Sequence, residues 1–259
     1  MCVEISLSLV SGRSRRLWLA TAAFFDILPC MKRPHGFILA IDGSAGSGKS
    51  TTARLCAARL RFRHLDTGAM YRAVTLKVIR TGTDITDRHG LARMLGTTSV
   101  GVEWNRAGMR VKLDGEDVSM AIREPEVSGF VSEVSAIPAV RHQMVAEQRR
   151  VAAGQAVVCE GRDIGSVVFP NADLKVFVEC DPVERAHRRQ LELAKSGAKV
   201  SLKSVLANLL KRDRIDSRRE ASPLRRMPDA VLVDTSHLTI EEQVAVICDL
   251  ARRRLKAEE

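Results

Sequence analysis

Two rhythms of apolar and polar residues alternate along this chain. Short apolar runs at 37–41, 155–160, 174–180 and 231–234 carry almost no polar interruption, as strands buried on both faces of a parallel sheet do. Longer amphipathic stretches lie between them and predict helices at about 51–60, 125–136, 139–153, 181–197 and 201–219, and a last one beginning at 239. The segment 64–72 reads as a polar turn opening a further helix that runs to about Arg80, and a short helix is expected near Gly90 to Leu95. Start signals support the pattern. Asp181-Pro-Val-Glu184 offers an N-cap, a proline at the first helical position and an acid at the third, and Thr239-Ile-Glu-Glu242 is a capping box. The rhythm changes once. Val100–Trp104 and Met109–Leu113 alternate strictly around Asn105-Arg-Ala-Gly108, which predicts a β-hairpin set among helices. Strands alternating with helices give an α/β fold with a mostly parallel sheet covered on both faces.

The first apolar run leads straight into chemistry. Phe37 to Thr51 reads FILAIDGSAGSGKST, in which Gly43, Gly48, Lys49 and Ser50 keep the G-x-x-x-x-G-K-[ST] spacing of a phosphate-binding loop. Glycines let successive backbone N–H groups turn inward around an anion, and the helix that follows points its positive end at the same place. The loop Gly43, Ser44, Ala45, Gly46, Ser47, Gly48, Lys49, Ser50 and Thr51 is therefore expected to hold ATP. Lys49 would meet the β- and γ-phosphates, and the Ser50 hydroxyl would bind Mg²⁺ directly. Asp42 and Glu160 end their strands and are candidates to hold that ion through water, although burial or capping of a following loop would equally account for them.

Composition narrows the field. The 259 residues carry 41 Lys and Arg against 31 Asp and Glu, but 13 of the bases and only 5 of the acids fall between Glu184 and Arg226. A surplus gathered downstream of a phosphate loop suits clamping small polyanions better than it suits a nucleic-acid surface. Aromatic residues are only 4%, which argues against base-stacking platforms for single strands. The six cysteines form no C-x-x-C pair and read as reduced thiols of a cytoplasmic protein. Near the N-terminus, Arg13, Arg15 and Arg16 precede the apolar run Leu17–Phe25, superficially like a signal peptide. Asp26 breaks the run and no clean cleavage site follows, so residues 1–35 are read as an extension outside the domain, with Met31 as an alternative start. No run is long enough to span a bilayer.

Among phosphate-loop proteins, a regulatory GTPase would need Asn-Lys-x-Asp, which is absent. A small kinase fits better. Leu65-Asp-Thr-Gly-Ala-Met-Tyr-Arg72, Leu113-Asp-Gly-Glu-Asp-Val-Ser119 and Glu160-Gly-Arg-Asp-Ile-Gly-Ser-Val-Val-Phe-Pro170 closely resemble signature segments of bacterial cytidylate kinases, which belong to the P-loop nucleoside monophosphate kinase superfamily. Glu184-Arg-Ala-His-Arg-Arg189 and Arg212-Asp-Arg-Ile-Asp216 with Arg219 are similar to that family's lid helix and second substrate run. Two small departures, Thr67 for a common serine and Ser44 for a common proline, remove no needed group.

The resemblance implies a P-loop NTPase-type three-layer α/β fold. Its core would comprise 36–66, 154–180 and 228–259. A monophosphate-binding region would occupy about 67–153 with a β-rich insert at about 95–125, and a helical lid about 184–220. It implies Mg²⁺-dependent transfer from ATP to CMP or dCMP by a monomer, without nucleic acid, membrane or a protein general base. Lys49, Arg162, Arg185 and Arg189 would serve the transfer, with Arg188 a further lid candidate. Around CMP it places Thr67, Tyr71, Arg72, Ser132, Arg141, Arg162, Asp163, Arg212, Asp216 and Arg219. Arg72, Arg162 and Arg219 would grip the monophosphate, Ser132, Arg141 and Asp163 the cytosine edge, and Tyr71, Arg212 and Asp216 the sugar. Taken as residues alone, Arg141, Arg212 and Arg219 also read as solvated helix faces, Tyr71 as core, and Asp163 as a partner of Arg162. Kinases of UMP, AMP or shikimate, and an RNA-associated NTPase, are the competing functions.

Overall fold

The computed structural model describes residues 36–106, 108–195, 197 and 199–257. The arginine-led apolar run of the N-terminal extension lies outside the described residues.

Strand β1 (Ile38–Gly43) enters the phosphate loop, and α1 (Lys49–Leu60) leaves it, so Lys49 is already helical. Next comes β2 (Arg63–Asp66), where a polar turn was expected, and then α2 (Thr67–Thr81). The strand escapes a hydrophobic pattern because it is four residues long and buries only Leu65. Its backbone bonds come from a partner far along the chain, with Leu65 in register with Cys159. After α3 (Arg88–Gly96), the strands β3 (Val100–Asn105), β4 (Gly108–Leu113) and β5 (Glu116–Asp117) form a small antiparallel sheet, with the hairpin closing at Asn105 opposite Gly108. Helices α4 (Pro125–Ser135) and α5 (Pro138–Ala152) follow, each with proline at its start.

The chain then returns to the core through β6 (Val157–Gly161), a π-helical turn at Ile164–Val168 and β7 (Leu174–Glu179). Helices α6 (Pro182–Lys195) and α7 (Leu202–Arg218) precede β8 (Val231–Asp234) and α8 (Ile240–Ala257). The expected caps are in place. Asp181 Oδ1 accepts from Val183 N at 2.8 Å, and the Glu242 carboxylate accepts from Thr239 N at 2.8 Å.

The main sheet runs β2-β6-β1-β7-β8 with every pair parallel. Strand alternation divides the interior in two. Leu39 and Ile41 of β1 face α1 and α8, packing with Ala53, Cys56, Val244 and Ile247. Ala40 points the other way, toward the α2, α4 and α5 residues Met70, Val74, Val134 and Met144. The three-layer architecture is thus built from the expected periodicity. All five strands end on the side of the phosphate loop, where ligands of parallel sheets bind.

The loop entry leaves no room for a side chain. A Cβ on Gly43 would lie 2.3 Å from the Val178 carbonyl oxygen of β7. Gly43→Ala is expected to push β1 from β7 and cost about 2–3 kcal/mol, read as a lower urea midpoint with an unchanged slope.

Candidate phosphoryl-transfer site

The loop wraps because Gly46 and Gly48 take left-handed backbone angles, φ +75 and +84, which turn its N–H groups inward. Lys49 is buried beneath it and donates to Ser44 O at 3.0 Å. No carboxylate pairs with Lys49 among the described residues. Burial, and then the nearby charge of Arg162, lower its pKa to about 7. Ser50 Oγ donates to Glu160 Oε2 at 2.6 Å, and the other oxygen of Glu160 lies 3.0 Å from His64 Nε2. Asp42 is not brought to the cavity. Its two oxygens accept from Ile164 N and Gly165 N at 2.7 and 2.8 Å, so it caps the π-helical turn, and burial pushes its pKa up to about 6.

Beside the loop, a cavity of about 480 Å³ opens between α2, α4, the end of β6 and α7, a helix of the expected lid. Eight cationic and five acidic side chains line it. On one wall Asp163, only 3% exposed, is gripped by Arg141, and Arg219 Nη2 reaches its other oxygen at 3.4 Å. Arg219 also approaches Asp216 at 3.9 Å, and Asp216 accepts from Arg162 Nε at 2.9 Å. Arg141 stacks over the Tyr71 ring, 5.3 Å from its centre. Ser132 is buried on the facing helix α4. Thr67 Oγ1 donates to Glu160 O at 2.7 Å, and Arg72 pairs with Asp66 at 3.2 Å. Arg212 brings a buried Nε with no partner among the described residues, and burial, then Arg162, bring its pKa down to about 10. All ten residues expected around the acceptor line this one cavity.

The lid arginines diverge. Arg189 reaches the cavity, paired with Glu192 at 2.9 Å. Arg185 is buried and donates from Nη1 to Ala45 O at 2.9 Å and to Asp213 at 2.6 Å, fastening the lid to the loop. Arg188 donates to Glu184 and to the carbonyls of Thr235 and Ser236, while its buried Nη1, beside Gly48, has no partner among the described residues. Five residues were missed: His64, Asp66, Arg123, Glu192 and Asp213. Asp66 had a legible signal, since an Asp three residues before Ala69 is an N-cap, and it accepts from Ala69 N at 2.9 Å. His64 and Asp213 adjoin or fall within recognised segments. Arg123 had no signal.

A model of the cytidylate kinase family matches residues 39–253. The chain is 50% identical over 210 residues to a cytidylate kinase of Pelotomaculum thermopropionicum, covering 81% of this chain and 93% of that one. It is 48% identical over 231 residues to a cytidylate kinase of Chlorobaculum tepidum, covering 87% and 96%.

Proposed function

Because the chain belongs to the cytidylate kinase family, we propose that it transfers the γ-phosphoryl group of ATP to CMP, and to dCMP, yielding the diphosphates. The supporting observation is one cavity that joins a phosphate loop, whose lysine has no carboxylate partner among the described residues, to the buried Arg141–Asp163–Arg219 cluster. The loop offers backbone donors for a triphosphate tail. The cluster offers an acceptor carboxylate of the kind that reads the exocyclic amino group of cytosine and faces only an oxygen in uracil.

The nucleophile is an oxygen of the CMP phosphate. Its second pKa is about 6, so it is mostly dianionic at neutral pH and no general base is needed. The obstacle is repulsion, roughly 3 kcal/mol for two unit charges about 5 Å apart at an effective dielectric near 20. The cationic surplus of the cavity offsets it. Lys49 and Arg189 hold the donor phosphates, Arg72, Arg162 and Arg219 orient the acceptor phosphate, and the array is preorganised for the charge of the transition state. Tyr71, Arg212 and Asp216 border the sugar, Ser132 and Arg141 complete the base site, and Thr67 shapes the floor. Closure of α6 and α7 excludes water.

The residues at the loop end fit Mg²⁺. Ser50 Oγ and the Glu160 carboxylate are hard oxygen donors held together by a 2.6 Å hydrogen bond. So small a set suits an ion that keeps several waters and takes its other ligands from phosphates. Ser50 would hold it directly and Glu160 through water; Asp42 belongs to the fold. When bound, Mg²⁺ neutralises the β- and γ-phosphate charge.

The same reading carries with it a cytoplasmic monomer, and reduced surroundings suit Cys56, Cys159, Cys180 and Cys248, which are free thiols. Among the described residues no helix is long and apolar enough to cross a membrane. A coupled ADP-release assay over CMP, dCMP, UMP, AMP and shikimate, with and without EDTA, tests the proposal. CMP and dCMP should lead, and chelation should abolish turnover. ATP hydrolysis stimulated by RNA, with every monophosphate inert, would overturn it.

A further inference from the structure

We propose that Arg123 is a further ligand for the acceptor's phosphate, reaching it from the turn that precedes α4. The inference rests on the CMP kinase reading and adds a residue that the sequence did not suggest. Arg123 ends the 3-10 turn Ala121–Arg123, whose Ile122 is 1% exposed and packs into the core shared with α2. The backbone is thereby anchored, while Arg123 itself is exposed and lines the cavity together with Asp66, Gly68, Arg72 and Ser128.

Three basic residues of α2 and of the small antiparallel sheet are each paired. Lys77 meets Asp114, Arg80 meets Glu116 and Arg110 meets Asp117, all at 2.6 Å. Among the described residues Arg123 has no such carboxylate. An acid that feels its charge is Asp66, which is already engaged by Arg72 at 3.2 Å and by the Ala69 N–H. Burial alone would raise the pKa of Asp66, yet the positive charges around it, Arg72 first and Arg123 among them, hold it below the ordinary value.

Sorting the eight cavity cations by partner isolates the same residue. Arg72, Arg141, Arg162, Arg189 and Arg219 each have a carboxylate. Lys49, Arg123 and Arg212 have none among the described residues, although Glu160, the one lining acid paired with none of these cations, is held by Ser50 and His64. One comes from the loop, one from the lid and one, Arg123, from the acceptor region. A dianion seated beside Arg72 is the ligand chemistry that an uncompensated guanidinium at that wall suits.

The test is Arg123→Gln, with calorimetric binding of CMP and of cytidine, which lacks the phosphate, and with KM for CMP and ATP. CMP affinity should fall about 10- to 100-fold, as expected for loss of one charge-assisted contact. Cytidine binding and the KM for ATP should stay within about twofold, and Arg123→Lys should recover part of the loss. Unchanged CMP affinity, or an equal loss for cytidine, would overturn the proposal. Failure of the wild-type chain to bind or phosphorylate CMP at all would instead sink the underlying reading.

Discussion

Lys49→Met is expected to lower kcat by about 10³-fold, within the range for removing one preorganised charge from a phosphoryl or oxyanion site, while leaving the ATP-free protein at least as stable as the parent. The first half follows from the position of Lys49 at the loop, buried and without a carboxylate partner among the described residues. The second half follows from linkage. With burial as the main cause, the folded pKa of Lys49 is about 7 against 10.5 for an ordinary lysine. Between those values the unfolded chain binds the extra proton, so this group's contribution to stability rises with pH from about 7 to 10.5. At pH 7 and below, the folded protein bears the full cost of a desolvated ammonium, on the order of a few kcal/mol. Methionine fills a similar volume without the charge. Urea midpoints at pH 7 and pH 9 check the account: the advantage of the variant should be largest at pH 7 and shrink at pH 9. Near-normal turnover would remove Lys49 from the mechanism, and a variant markedly less stable at pH 7 would refute the electrostatic account.

That site was legible because its chemistry lies in contiguous residues. The loop announces itself through glycines and Lys49-Ser50, and its strand–loop–helix context is written in local hydrophobic periodicity. What lay beyond the sequence depends on which way a side chain turns. Arg185, Arg188 and Arg189 share one helix and one charge, but α6 starts so close to the loop that Arg185 is absorbed by Ala45 O and Asp213, leaving Arg189 for the cavity. Asp42 and Glu160 both end parallel strands one residue out of register, with Ile41 opposite Glu160. That one residue puts their side chains on opposite faces of the sheet, so Glu160 meets Ser50 of α1 while Asp42 caps the π-helical turn, which no period foretold. Strand β2 was hidden for a related reason, since its identity comes from long-range pairing with β6 rather than from its own four residues. Arg123 belongs to no motif, and its role is argued from what surrounds it.

Asp163→Asn should separate base selection from folding, because the two losses are read in different quantities. The side chain is 3% exposed and lies between Arg141 and Arg219, themselves 3% and 9% exposed. Neutralising it leaves two buried guanidiniums without their shared anion, a change that costs about 3–5 kcal/mol for buried pairs. Unfolding midpoints should fall accordingly. Less of the variant will be folded at a given temperature, so its raw rates cannot be assigned to recognition. The ratio of kcat/KM for CMP to that for UMP is free of this difficulty, since both substrates meet the same population of folded enzyme. An ionised carboxylate can only accept, and with about four lone-pair sites it can take a cytosine amino donor while still bonded to the arginines. A carboxamide can present either its oxygen to cytosine or its NH₂ to the uracil carbonyl. The ratio should therefore fall about 10- to 100-fold, the range for one well-placed pair of base-edge hydrogen bonds. A destabilised variant with an undiminished ratio would mean that Asp163 only neutralises its arginines and that cytosine is read by other groups.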